Sequence, residues 1–320
     1  MKGERVKGVK VVMDKNIPFV QEVLGPYADV IALEPESITP NQVRDADALI
    51  IRTRTKADAA LLDGSRVQFI ATATIGFDHI DTEYCQTHSI AWSSCPGCNA
   101  QAVCDYIEEC LYELSLPKDA TIGIVGVGHV GTLVAQMAER KGYHILLNDP
   151  PKQIGKSIGE IADKCDLITF HTPLTKDGIY PTYHLCDENF LRRCKFDAII
   201  INAARGGVVD EQALLACGHP FVLDTWENEP NIRPQVLQAA RLASYHIAGY
   251  SIQGKINASA MCLDAFCKHF GTPILSIDKK AVSLHAEAGD SAPGWIQRIS
   301  EQLKNHPTRF EQLRKQYKLR

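Results

Sequence analysis

The chain has 320 residues, with 34 Lys plus Arg against 38 Asp plus Glu and a formal net charge of −4. That balance argues against nucleic acid as a partner, which would call for a basic domain or stripe, and 45 % hydrophobic residues exclude a chain disordered throughout. No apolar run approaches the roughly 18–20 residues of a bilayer span, and residues 9–13, broken by Lys10, are too short for a signal-peptide core, so a cytoplasmic protein with no membrane partner is expected. At roughly 150 residues per domain, the length suggests about two domains.

In chain order, residues 9–13, 48–51 and 67–73 are short apolar runs, each followed by turn residues and a helical pattern. This is the βαβ rhythm of a parallel sheet. Cys95-Pro96-Gly97-Cys98 follows. A C-x-x-C admits a redox pair or half a zinc site. No second close-spaced Cys or His pair follows it, so a Pro-Gly turn carrying two thiols is the simpler reading and no metal is expected. Eleven cysteines over such a length suit reduced thiols buried as small apolar groups. A helix is expected over 100–116, with Val103, Ile107, Cys110, Leu111 and Leu114 on one face and Pro117 as its stop.

A second series then starts. Residues 120–125, 143–147, 167–170, 198–201, 221–223 and 242–245 read as strands of a doubly wound sheet, with a helix over 129–140 after the first. Another helix is expected over 254–271. Short strands, a loop over 287–294 and a charged helical end over 308–320 complete the chain.

Gly126-Val127-Gly128-His129-Val130-Gly131 is a complete G-x-G-x-x-G between an expected strand and an expected helix. Its first glycine makes the turn, its second admits a pyrophosphate to the backbone, and its third lets helix and strand approach. The helix N-terminus offers free N–H groups to the phosphates. Asp149 lies 18 residues beyond Gly131, where a carboxylate accepts bonds from a ribose diol and repels a 2′-phosphate. A dinucleotide is expected, NAD over NADP; the plain alternative is a glycine turn and a surface aspartate.

Three further polar residues follow consecutive expected strands: Arg205, Glu229 and His246. An imidazole is the usual acceptor for a hydroxyl proton at neutral pH. A carboxylate beside it orients the ring and stabilises its charged form. An arginine presents a planar fork to a substrate carboxylate. Each also has an ordinary structural reading: a surface ion pair, a helix-terminal acid before Pro230, and a satisfied core histidine. His171 is the second imidazole to consider.

Together these motifs resemble the NAD-dependent D-2-hydroxyacid dehydrogenases, over about residues 9 to 270. Residues 95–100, 148–151, 171–174, 176–178 and 246–250, with 48–52 and 72–79, are similar to a branch of that family whose substrate is a small phosphorylated hydroxyacid. The resemblance implies Arg205, Glu229 and His246 as catalytic residues, with His246 the acid/base. It implies NAD contacts from Asp149, Thr172, Ala203, Ala204, Arg205, Asp224 and Gly249, and substrate contacts from Thr53, Thr74 and Tyr250. Arg52, beside Thr53, is a candidate for the phosphate or simply a solvated cation. The expected fold is α/β with two doubly wound parallel-sheet lobes. A Rossmann-type cofactor domain (99–254) is inserted in a flavodoxin-like substrate domain (1–98 and 255–271). A short dimerisation-like element (272–320), briefer than the branch's usual C-terminal domain, follows, and a homodimer is implied. Glyoxylate/hydroxypyruvate-type reductases, phosphoglycerate dehydrogenases and a non-catalytic NAD-sensing protein share the fold as alternatives.

Overall fold

The computed structural model of the chain describes residues 8–277 and 292–319. Contacts along the chain separate two units. One holds the residues up to Asn99 and a segment that starts at Ser251; the other runs from Ala100 to Tyr250 and includes the C-terminal helices.

In the N-terminal unit, β1 (Lys10–Asp14), β2 (Asp29–Leu33), β3 (Ala48–Ile51), β4 (Phe69–Thr72) and β5 (Ala91–Ser93) form a parallel sheet in the order β2-β1-β3-β4-β5. That order is the flavodoxin-like winding. The central strands β3 and β4 are buried at every position, as a parallel sheet covered on both faces requires. Four short helices connect the strands: α1 (Val20–Leu24), α2 (Pro40–Val43), α3 (Ala59–Leu62) and α4 (Thr82–Thr87). β2 and β5, both at sheet edges, are absent from the sequence reading. Ala91-Trp92-Ser93 is only three residues long and shows no apolar run, whereas the four apolar residues after Asp29 in β2 match β3 in length and went unread.

The Ile252–Phe270 helix closes one face of this sheet through Ala258, Cys262, Leu263 and Phe266, and Phe266 meets Phe69 edge-on at 6.5 Å. It begins two residues before the expected Gly254 because Ser251 Oγ accepts the Gly254 amide at 2.9 Å, an N-cap. The C-x-x-C packs against the same helix. Cys95 Sγ lies 3.7 Å from Cys262 Sγ and 3.3 Å from the carbonyl oxygens of Thr72 and Ala258. Burial pushes the Cys98 thiol up to about 12. Both thiols of the motif therefore serve as buried packing groups.

The second unit carries β6 (Thr121–Val125), β7 (His144–Asp149), β8 (Ile154–Gly155), β9 (Leu167–Phe170), β10 (Ile199–Asn202), β11 (Phe221–Leu223) and β12 (Leu242–Ala243). Their order is β12-β11-β10-β9-β6-β7-β8, parallel except for β8, which runs antiparallel to β7. The winding reverses at β6, so the carboxyl ends of β6 and β9 open a crevice of the kind that binds nucleotides. The helices are α5 (Ala100–Glu113), α6 (His129–Arg140), α7 (Ile158–Lys164), α8 (Glu188–Arg193), α9 (Glu211–Cys217) and α10 (Pro234–Ala239). α5 ends three residues short of the expected Leu116, ahead of Ser115 in the left-handed region at φ 50°.

A helix over Trp295–Asn305 is a feature the sequence reading lacks. Trp295 meets Tyr106 of α5 edge-on at 6.0 Å, and Ser300 Oγ accepts the Ala243 amide at 3.0 Å, closing the free edge of β12. The expected charged helical end is the shorter Phe310–Gln316 helix. Residues 272–277 form none of the expected short strands, and most of the expected 287–294 loop lies outside the described residues. Among the described residues no helix is long and apolar enough to cross a membrane.

Phe266 is fully buried, so Phe266→Ala is expected to destabilise the fold by about 3–5 kcal/mol. Urea unfolding followed by circular dichroism checks this; a shift below about 1 kcal/mol would show that the helix does not carry the packing of this face.

Candidate active site

β6 ends at Val125 and the chain turns through Gly126 at φ 91°, where a Cβ would lie 2.8 Å from the His171 carbonyl. Gly128 precedes α6 with open space around it, and a Cβ on Gly131 would fall 1.9 Å from the Gly126 carbonyl oxygen. The loop is therefore a bare backbone floor that leads into the N-terminal amides of α6, with His129 exposed and Val130 half-buried at its start. Asp149, at the end of β7, accepts the Val127 amide at 2.8 Å and the Lys152 amide at 3.3 Å. Lys152 Nζ donates to the Val127 carbonyl at 2.7 Å. Thr172, just past β9, keeps a buried hydroxyl without a partner among the described residues. Glycine floor, helix terminus, carboxylate and unspent hydroxyl together fit a dinucleotide.

Beyond β10, Asn202 organises the arginine loop. Its side chain accepts the Ala204 amide at 3.0 Å and donates to the Arg205 carbonyl at 2.8 Å. Arg205 is half-buried, with Nη1 donating to the Ala204 carbonyl at 2.8 Å. Gly206 touches the next loop: a Cβ there would lie 1.9 Å from the Trp226 carbonyl oxygen. Glu229 in that loop accepts the Trp226 amide through Oε1 at 2.8 Å and reaches His246 Nδ1 through Oε2 at 2.8 Å. His246 follows β12 at φ 60°, a left-handed conformation that costs a non-glycine residue about 1–3 kcal/mol. The expected dyad is thus in hydrogen-bonding contact, on the loop neighbouring that of Arg205.

Asp224 lies beneath rather than on this surface. It is 1 % exposed, and its carboxylate accepts Ser244 Oγ at 2.6 Å and the amides of Ile247 and Ala248 at 2.8 and 3.0 Å. Its visible work is to hold the 246–248 loop. Ala203 and Gly249 are half-buried at the same strand ends and Ala204 is buried. His171 also sits there, but burial pushes it down to about 3. That desolvation favours the neutral imidazole, whose Nε2 lies 3.1 Å from Thr169 Oγ1.

A charged network that the sequence reading lacks frames the Glu229 loop. Buried Glu211 accepts the Glu227 amide at 2.8 Å; Arg233 donates to Glu227 at 2.7 Å and lies 3.5 Å from Glu211; His184 meets Glu227 at 2.7 Å and Asp210 at 3.5 Å. His184, Asp210 and Glu227 could hold a cation by their spacing, but Arg233 already supplies the positive charge there. Only the acid-rich 226–230 stretch hinted at this set.

In the N-terminal unit, Arg52 follows β3 and is held by the buried Asp14 through two bonds at 2.7 and 3.2 Å. Thr53 is exposed beside it. Thr74, past β4, donates to the Gly76 carbonyl at 2.8 Å and shares a 2.7 Å bond with Thr72. Tyr250 belongs to the second unit, four residues beyond His246, and accepts a hydrogen bond from Arg314 at 3.0 Å.

Comparison with known proteins agrees with this geometry. Residues 105–248 match the NAD binding domain of the D-isomer specific 2-hydroxyacid dehydrogenases. Erythronate-4-phosphate dehydrogenase of Bacteroides fragilis is 44 % identical over 336 aligned positions, covering 98 % of this chain and 97 % of that protein. The Coxiella burnetii protein of the same name is 38 % identical, covering 98 % and 93 %. Among solved structures, NAD+-bound 3-phosphoglycerate dehydrogenase of Entamoeba histolytica superposes with a TM-score of 0.70 at 25 % identity, over 85 % of this chain and 99 % of that one.

Gly131→Ala is expected to weaken NADH binding at least tenfold, because the new methyl group meets backbone; NADH fluorescence titration checks this. Burial holds His171 and His79 below the ordinary histidine value. The unfolded chain then binds more protons below about pH 6.5, so stability falls as pH drops from there toward 3. In urea unfolding between pH 7 and 4.5, His171→Gln should show a shallower loss of stability than the parent. Equal slopes would refute the assignment.

Proposed function

The chain belongs to the D-isomer specific 2-hydroxyacid dehydrogenases, among the erythronate-4-phosphate dehydrogenases, and from that we propose that it oxidises C2 of 4-phospho-D-erythronate to the 2-oxo acid, a step toward pyridoxal phosphate. The observation that carries this reading is the 2.8 Å His246–Glu229 contact on the loop next to Arg205, in the unit that holds the glycine fingerprint. NAD, when bound, supplies the acceptor for the hydride that leaves C2. Gly126, Gly128, His129, Val130 and Gly131 would hold its phosphates, Asp149 would accept from its adenosine ribose, and Thr172 would offer its unspent hydroxyl.

His246 moves the proton. With Nδ1–H donated to Glu229, Nε2 is left with a lone pair that takes the hydroxyl proton as the C2 carbonyl forms. Glu229 stabilises the resulting imidazolium and keeps the ring oriented. Arg205 binds the substrate carboxylate and polarises the developing carbonyl. Arg52, Thr53 and Thr74 are candidates for the phosphorylated end, with Arg52 pre-oriented by Asp14. The resemblance also implies a cytoplasmic homodimer, which sedimentation velocity on the purified protein checks for assembly state.

Steady-state kinetics at the NADH absorbance band, with 4-phosphoerythronate, erythronate and 3-phosphoglycerate, tests the substrate. The expected order puts 4-phosphoerythronate first in kcat/KM, and a preference for either competitor would overturn the reading. His246→Ala is expected to lower kcat by about 10²–10⁴ with NADH affinity unchanged. Asp149→Ala should narrow the preference for NAD over NADP, since the repulsive carboxylate is lost while Lys152 remains. Equal use of both cofactors by the parent would refute the role given to Asp149.

A further inference from the structure

We infer that Arg314, on the Phe310–Gln316 helix, is a positioning residue for the substrate side of the site, fixing the Tyr250 phenol as a hydrogen-bond donor to an acidic ligand oxygen. Arg314 Nε donates to Tyr250 Oη at 3.0 Å, and its guanidinium carbon lies 5.6 Å from the centre of the same ring. A guanidinium only donates, whereas a phenol has one proton to give and lone pairs to receive. With Arg314 on a lone pair, the Tyr250 proton must go elsewhere, and no acceptor for it is found among the described residues. A donor polarised by a neighbouring cation is also a stronger donor.

The helix that carries Arg314 is seated firmly enough to do this. Phe310 and Leu313 are buried, and the Tyr317 ring just after it meets Tyr245 at 6.1 Å and Tyr250 at 6.3 Å. The helix thereby braces both ends of the segment that contains His246. Tyr250 is tied to the same loop by its amide, which donates to the Ile247 carbonyl at 2.8 Å. Glu311 is a looser partner for Arg314, at 3.8 Å, and the arginine side chain is 28 % exposed. The donor so prepared suits an anionic oxygen, either the carboxylate or the phosphate of the hydroxyacid. The inference rests on the substrate reading given above.

The test uses the full chain and the variants Arg314→Gln, Arg314→Lys, Tyr250→Phe and the Gln/Phe double, with each of NAD and the hydroxyacid varied while the other is saturating. Arg314→Gln is expected to raise the KM for 4-phosphoerythronate about tenfold, with kcat within about twofold and the KM for NAD unchanged. Arg314→Lys should recover part of that loss. The double variant should be no worse than Tyr250→Phe, because Arg314 acts through the hydroxyl. A penalty that also appears with erythronate assigns the contact to the carboxylate; one confined to the phosphorylated substrate assigns it to the phosphate. An unchanged KM in Arg314→Gln, or penalties that multiply in the double variant, would overturn the inference. Calorimetric binding of oxalate and of inorganic phosphate to the NADH-loaded protein separates this from failure of the substrate reading. A parent that binds either anion, loses it in Arg314→Gln and in Tyr250→Phe, and yet oxidises no 4-phosphoerythronate would overturn the substrate while supporting the contact. Anion affinity unaffected in Arg314→Gln counts against it.

Discussion

One buried carboxylate organises the catalytic side of the second unit. Asp224 has no cation beside it in the bonds it makes; it is satisfied by a hydroxyl and two backbone amides. Hydrogen bonds to a charged group contribute about 1.5–3 kcal/mol each, and an unsatisfied buried charge costs far more. The chain past β12 therefore has one low-energy course, the one that brings Ile247 and Ala248 over Asp224. Ser244 extends the arrangement. Its proton goes to Asp224, so Tyr106 of α5 donates to Ser244 Oγ at 2.8 Å, while Trp226 Nε1 donates to the Ser244 carbonyl. The loop with the imidazole, the loop with the carboxylate and α5 are thereby tied to one group.

A second charged set acts on the opposite side of the Glu229 loop. Glu211 is 1 % exposed, and burial raises its proton affinity above the ordinary carboxylate value. It accepts the Glu227 amide, and Arg233 is shared between Glu211 and Glu227. Breaking such a set by removing one partner leaves an uncompensated buried charge. Its value here is geometric, because Glu229 is two residues from Glu227. Gly206 completes the fit: only hydrogen at its α-carbon lets the arginine loop lie against the Trp226 carbonyl.

Legibility in the sequence followed the range of the interaction. The G-x-G-x-x-G was readable because its spacing is contained within six residues, although the backbone that excludes a side chain at Gly126 belongs to distant His171, and β9 and β11 were readable as short apolar runs with the observed limits. Arg205, Glu229 and His246 stood out by residue type and by position after strands. The helix over Trp295–Asn305 went unread although Trp295, Ile296, Ile299 and Leu303 fall on one face; the Gly/Ala/Pro stretch before it masked the period. The buried role of Asp224 and the loop-forming role of Asn202 were not legible, since their partners are mostly backbone groups and backbone partners leave no trace in residue identity. Arg314 lies 64 residues from Tyr250, and no local pattern joins them.

The left-handed backbone at His246 follows from the same constraints. In an extended conformation the residue would carry its ring away from the preceding loop; at φ 60° the ring turns back so that Nδ1 meets Glu229. The cost of about 1–3 kcal/mol is offset at the two positions that follow, where both amides reach Asp224. The His246 amide itself donates to the Asp224 carbonyl at 2.8 Å, so three consecutive amides converge on one residue. A glycine would adopt this backbone without strain but could not move a proton. Imidazole chemistry and left-handed geometry coincide at this position because a buried anion beneath the loop over-determines its path.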